Sequence, residues 1–386
     1  MSAAHPALLA GRAAEGAAAP VSRSLPHLPA LDGLRGVAVL LVLLSHFPFV
    51  EGVALSKDLW SLAQALRVGY LGVDLFFVLS GFLITRGMLA ERRATGRVSL
   101  WRFYVRRGLR IYPIYFLSVA FVALVYPTKR ILLASLLVYG FNYYHPIDPQ
   151  PYPMEHSWSL DVEDQFYLLW PLLFALIPLG AGARVTGLVI PTLAVLSAVA
   201  LAATLEPTLA AAYIYTSLPT EMLSLSLGAY LAYREAEARP LHPAACLALA
   251  GGGALLLVVD LAGRGAGLIP PGGWYWCLAL VGTSLACFGV VAHLALGRPM
   301  AAVKTVLCAP LLRWVGRLSY GLYLYHLLVL FLLGLNPAAM EGRGATGWQV
   351  ALALVLSFGA AALSYALLEK RILRYKARFQ PVVAAR

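Results

Sequence analysis

The sequence predicts an all-α fold, a polytopic membrane helical bundle of about ten transmembrane helices. Three observations predict it. Of 386 residues 60% are hydrophobic and only 12% charged, about half the charged share of an ordinary soluble domain. The mean hydropathy is +0.76. Apolar runs of spanning length recur along the chain, near 34–50, 70–90, 110–126, 164–180, 184–205, 217–233, 243–262, 274–297, 318–335 and 347–369.

Basic residues orient these runs. The net charge of +12 comes from 30 Lys and Arg against 18 Asp and Glu. In a membrane protein such an excess marks cytoplasmic loops and anionic lipid. It is scattered between apolar runs, with no soluble basic domain to hold a duplex, so nucleic acid is not an expected partner. Arg12 and Arg23 precede the first run, 91–110 is arginine-rich, and Arg234 and Arg239 follow the run 217–233. Arg298, Lys304, Arg313 and Arg317 precede 318–335, and 369–378 is basic again. Placing all of these on one side requires an even number of crossings between 110 and 234. A further run, 130–145, is short and ends on the polar aromatic FNYYHP. It is therefore expected to be re-entrant or interfacial, with both termini cytoplasmic. Residues 1–28, rich in Ala, Pro and Gly, read as a disordered cytoplasmic arm, 29–376 as the transmembrane domain and 377–386 as a cytoplasmic tail. The four cysteines form no CxxC pair, and no metal site is expected.

The first span, LDGLRGVAVLLVLLSHF, carries Arg35 and His46. Eleven residues at ~100° each make three turns plus ~20°, so both side chains lie on one stripe, ~16 Å apart. Ionisable residues inside a span are costly and point to function. His46 is the expected proton acceptor; the alternative is Arg35 as an interfacial anchor and His46 as a cap. The second span, GYLGVDLFFVLSGFLITR, buries Asp74 and Ser80. Asp74 is expected to meet His46 and support its imidazolium; an acid favouring the helix dipole is the alternative. RFYVRRGLRIYP then sets Arg106, Arg107 and Arg110 at helical spacing. Guanidinium groups clamp phosphates, although a positive-inside stop signal uses the same residues.

HSWSLDVEDQFYLLWP runs Trp158, Asp161, Glu163 and Asp164 into a span. Trp158 and Glu163 are candidates for lining an acceptor cavity. Glu221, in LPTEMLSLSLGAYL, is a lone intramembrane carboxylate expected to face the bundle interior. GRLSYGLYLYHLLVLF places His326 in mid-span with Tyr323 beside it, a second candidate histidine and a tyrosine partner.

Five of these segments, LDGLRGVAVLLVLLSHF, GVDLFFVLSGFLIT, RRGLRIYP, WSLDVEDQFYLLWP and RLSYGLYLYH, resemble in sequence and order the acyltransferase-3 family of integral membrane O-acyltransferases. The resemblance extends from about 30 to 370. It implies transfer of an acyl group, usually acetyl, from cytoplasmic acyl-CoA to a hydroxyl of a sugar, glycolipid, polysaccharide or macrolide-type acceptor, in a bacterial cytoplasmic membrane. It implies His46 as the catalytic base, Arg35 as essential beside it, and a functional arginine pair at Arg107 and Arg110. Acetyl-CoA or another acyl-CoA is then the co-substrate. The family often has WSLSVEEQFY; here Asp161 replaces the serine and Asp164 the second glutamate, which implies at most a shifted acceptor pocket. The periplasmic hydrolase-like domain that some polysaccharide O-acetyltransferases of the family carry has no counterpart in these residues, which shifts the expected acceptor away from large polymers. A proton-coupled small-molecule transporter is the rival reading. The lack of internal repeats weighs against it, as does an arginine cluster suited to phosphate.

Overall fold

A computed structural model describes residues 27–268, 272–297, 301–336, 340 and 343–379. The expected N-terminal arm and C-terminal tail fall almost wholly outside the described residues, as does Arg298.

Chain order gives α1 (Pro29–His46), α2 (Ala54–Ala65), α3 (Val68–Thr95), α4 (Leu100–Val125), α5 (Arg130–Leu137), α6 (Phe141–Tyr144) and α7 (Trp158–Leu176). Then come α8 (Leu179–Thr204), α9 (Pro207–Thr216), α10 (Leu218–Ala236), α11 (Pro243–Gly265), α12 (Gly273–Leu296), α13 (Ala301–Leu307), α14 (Pro310–Leu332) and α15 (Gly347–Tyr375). Among the described residues, eight helices are long and apolar enough to cross a membrane: α1, α3, α4, α8, α11, α12, α14 and α15. Two more, α7 and α10, have 19 residues each, long enough to span but interrupted by carboxylates. They complete the expected set of about ten.

The 130–145 run is broken into an 8-residue and a 4-residue helix, ~12 and ~6 Å long at the α-helical rise and too short to cross. Helix direction agrees. Asp32 of α1 lies against Gly316 of α14, while His46 and His326 meet at the helices' other ends. The two helices are parallel, which requires an odd number of spans between them. A crossing at 130–145 would make that number even. Asp161 holds the segment in place by accepting the Asn142 backbone N–H at 3.0 Å.

Small residues bring the central helices together, as they do where lipid offers no hydrophobic drive. A Cβ on Gly81 would lie 1.9 Å from the Leu225 carbonyl oxygen, and one on Gly228 2.1 Å from that of Val78. Helices α3, α10, α12 and α14 form the interior, and α8, α11 and α15 present mostly exposed leucine and valine outward. Sequence periodicity passes over α2, an amphipathic helix whose Leu55, Leu59 and Leu62 stay exposed. It connects α1 to α3 at the histidine end of the bundle.

Candidate active site

His46 is the last residue of α1, and helix geometry decides what its ring can do. Its Nδ1 lies 3.0 Å from the Val42 carbonyl oxygen and 3.3 Å from His326 Nε2. His326 Nδ1 lies 3.0 Å from the Leu322 carbonyl oxygen. A carbonyl only accepts, so both rings carry their proton on Nδ1. His326 Nε2 is then a lone pair accepting from His46, and His46 Nε2 is left as an unprotonated nitrogen. His46 lines a cavity of about 540 Å³ together with Gln64, Arg67, Tyr70, Glu155, His156 and Trp158.

His156 makes the cluster three imidazoles. Its ring centroid is 4.9 Å from that of His326 and 5.1 Å from that of Tyr323. Tyr323 donates to the His156 carbonyl oxygen at 3.0 Å. Burial, with His46 nearby, pushes the His156 imidazole down to about 3. Sequence reading passed over His156 although it opens the WSLDVEDQF segment. The available signal was an ionisable residue just before a span. Among the described residues no group of three His, Cys, Asp or Glu side chains is arranged to hold a metal ion.

Arg35 occupies the middle of the bundle. It donates to Ser319 Oγ at 3.4 Å and lies 5.6 Å from the Phe76 ring centroid. With Glu163, Ser319, Tyr320 and Tyr323 it lines a narrow cavity of about 40 Å³. Glu163 accepts a hydrogen bond from Ser80, whose oxygen also lies 3.3 Å from the Tyr167 hydroxyl. Tyr323 borders both this narrow cavity and the histidine cavity.

Arg35 and Tyr320 also border a third cavity, of about 470 Å³, at the N-terminal end of α1. Arg86, Arg110 and Arg317 line it, with Asp32 and Glu369. Arg86 pairs with Glu235 at 2.7 Å, and Asp32 with His27 at 3.0 Å. Among the described residues no carboxylate pairs with Arg110 or Arg317. Three cavities thus follow α1 from a basic end to a histidine end.

Several expected residues lie elsewhere. Arg106 pairs with the buried Glu91 at 3.5 Å and donates to the Phe379 carbonyl oxygen at 2.7 Å. Arg107 sits 4.8 Å from the Tyr167 ring centroid. Of the three arginines expected together, only Arg110 reaches the basic cavity, because Arg106 lies one turn nearer to Glu91 and Arg107 faces α7. Asp74 does not meet His46. Its neighbour Val73 faces the histidine cavity, and ~100° of helical rotation turns Asp74 towards α10, where it accepts from Ser224. Glu221 lines a small cavity beside Asp74, and among the described residues its Oε2 has no hydrogen-bond partner. Trp158 lines the histidine cavity and packs on Tyr215 at 4.2 Å. Asp161 and Asp164 border none of these three cavities.

Comparison with known proteins bears on this arrangement. A family profile described as an acyltransferase domain matches residues 28–367. The peptidoglycan O-acetyltransferase OatA of Listeria monocytogenes is 26% identical over 374 residues, covering 90% of this chain and 56% of that protein. The putative peptidoglycan O-acetyltransferase YrhL of Bacillus subtilis is 30% identical over 376 residues, covering 90% and 55%. The O-acetyltransferase OatA of Staphylococcus aureus is 34% identical over 162 residues, covering 38% and 24%. The chain spans about half the length of the first two relatives. No solved structure matches.

Proposed function

Because the chain belongs to the acyltransferase-3 family, we propose that it is a membrane O-acyltransferase passing an acetyl group from acyl-CoA at its basic end to a hydroxyl of a cell-envelope carbohydrate at its histidine end. One observation supports this reading: three neighbouring cavities, the basic and central ones sharing Arg35 and Tyr320 and the central and histidine ones sharing Tyr323, lie between guanidinium groups at one end of α1 and His46 at the other.

In this reading the basic end faces the cytoplasm, in keeping with the distribution of arginine. Arg110 and Arg317 hold the donor's phosphates through charge-assisted hydrogen bonds. The donor's extended arm follows the passage past Arg35 and Tyr323. His46 Nε2 takes the proton of the acceptor hydroxyl as that oxygen bonds to the thioester carbonyl carbon. Collapse of the tetrahedral intermediate breaks the C–S bond, and the imidazolium returns its proton to the departing thiolate. His326 holds the reactive tautomer of His46 through Nδ1, the positioning role that an acceptor on the far ring nitrogen performs in acid–base pairs. Glu155 on the same cavity wall offsets the imidazolium charge. Binding donor and acceptor from opposite ends of one passage supplies proximity and alignment.

The test is direct. Purified wild-type protein in detergent, given labelled acetyl-CoA and carbohydrate acceptors, transfers label. His46→Ala inserts normally and transfers none; transfer by His46→Ala at the wild-type rate refutes the mechanism.

A further inference from the structure

We propose that Arg67 selects the acceptor: it holds an oxyanion, carboxylate or phosphate, carried by the sugar whose hydroxyl meets His46. This inference rests on the O-acyltransferase reading and names the substrate class within it.

Arg67 lies outside every motif read from the sequence. It precedes α3 in the left-handed backbone conformation, φ 53°, which is uncommon for a residue with a Cβ and is retained where surrounding structure imposes it. Its guanidinium is clamped on two sides. The carbon at its centre lies 3.9 Å from the Trp276 ring centroid, and Nε donates to Asp260 Oδ2 at 3.3 Å. That same oxygen also takes Arg264 at 3.1 Å, so one carboxylate oxygen serves two arginines. Asp74 and Glu221 border the small cavity behind Arg67, yet neither forms an ion pair with it among the described residues. The residue is only 8% exposed. Among the described residues its terminal nitrogens have no protein acceptor, and Arg67 lines the histidine cavity.

A guanidinium desolvated to this degree needs acceptors for its N–H groups. The open nitrogens form a planar fork that matches a carboxylate or phosphate in two parallel hydrogen bonds. A neutral sugar leaves that fork half used. The adjacent wall supplies the platform for a sugar ring: Tyr70 and Tyr215 lie 4.0 Å apart between centroids, and Trp158 packs on Tyr215. His46 and His156 line the same cavity. Anion on Arg67, ring on the aromatics and hydroxyl at His46 Nε2 are three points that fix one acceptor orientation.

The experiment compares matched disaccharides ending in glucose, glucuronic acid or glucose 6-phosphate as acceptors, with labelled acetyl-CoA as donor, on the purified 386-residue chain. Wild type is expected to prefer one anionic acceptor over the neutral one by roughly ten- to a hundredfold in kcat/KM, the worth of hydrogen bonds to a charged group. The two anionic arms identify which oxyanion fits. Arg67→Gln is expected to raise KM for the anionic acceptor and abolish the anionic-over-neutral preference in kcat/KM, while Arg67→Lys keeps part of the preference. Transfer without anion preference by wild type overturns the Arg67 assignment and leaves the O-acyltransferase reading standing; this outcome needs no variant to fold. An equal loss on all acceptors in Arg67→Gln likewise assigns Arg67 to structure. No transfer to any acceptor overturns the O-acyltransferase reading, and this inference with it.

Discussion

Gly36 and Gly316 meet with no side chain between them: a Cβ built on either would lie 3.2 Å from the other's backbone nitrogen. His46 and His326 each stand ten residues further along their helices. Because α1 and α14 are parallel, this crossing brings the two imidazoles to the same depth. The base pair at the centre of the site is thus set by a glycine contact near the opposite end of the bundle.

Replacing Gly316 with valine puts a Cβ where 1.9 Å separates it from the Asp32 carbonyl oxygen. The helices must separate or shift, at a cost of ~1–3 kcal/mol by analogy with overpacked cores. The expected outcome is a thermal midpoint lower by several degrees in detergent and reduced transfer. Gly87→Ala, which meets nothing within 4 Å, is the control and should lower neither. An unchanged midpoint in Gly316→Val would remove the glycine contact from this account.

His326→Phe keeps an aromatic ring but removes the acceptor for His46 Nδ1. The tautomer of His46 is then held by the Val42 carbonyl alone. A fall in kcat of roughly a hundredfold, within the usual range for acid–base assistance, is expected with little change in donor KM. Steady-state kinetics with varied acetyl-CoA measures both, and an unaltered kcat refutes the positioning role.

Donor affinity separates Arg110 and Arg317 from Arg106. Arg110→Gln and Arg317→Gln should each raise KM for acetyl-CoA about tenfold, the equivalent of ~1.4 kcal/mol. Arg106→Gln strands the buried Glu91 instead, so it should lower thermal stability and leave KM near wild type. If Arg106→Gln were the variant that weakened donor binding, the basic cavity would not be the donor site.

The pH dependence of stability has a defined sign at His156. Its imidazole titrates near 6.5 when unfolded and is held down to about 3 by burial in the folded chain. Between these values the unfolded state binds the extra proton. This contribution to stability is therefore complete above about pH 6.5 and is lost progressively as pH falls towards 3. Thermal midpoints of wild type from pH 7.5 to 5 should decline, and His156→Phe should decline less steeply. Identical slopes would show that His156 is not held neutral.

What could be read without a structure follows one physical rule. Arg35 and His46 share a stripe because helical period is local, and each borders a cavity beside α1. The segment 130–145 could be set aside as non-crossing because loop charge constrains the parity of spans. Glu163 and Tyr323, picked out as polar residues in apolar helices, both border the central cavity. Rotation of one helix against another is not local, and the readings that depended on it diverged. Asp74 is one residue round from the cavity-facing Val73, so its carboxylate meets Ser224 and not His46. Arg106 and Arg107 share a helix with Arg110 yet find Glu91 and Tyr167.

The sequence by itself determined an all-helical membrane bundle, its set of spans, and an imidazole and a guanidinium aligned on its first helix, since hydropathy, charge bias and helical period act over neighbouring residues. Only the tertiary structure decided that His326 and His156 join His46, that Arg110 and Arg317 are the arginines facing the basic cavity, and that Arg67 faces the histidine cavity. These pairings join residues tens to hundreds of positions apart, and they depend on how closely helices approach at positions such as Gly36 and Gly316 and on the rotation each helix takes there.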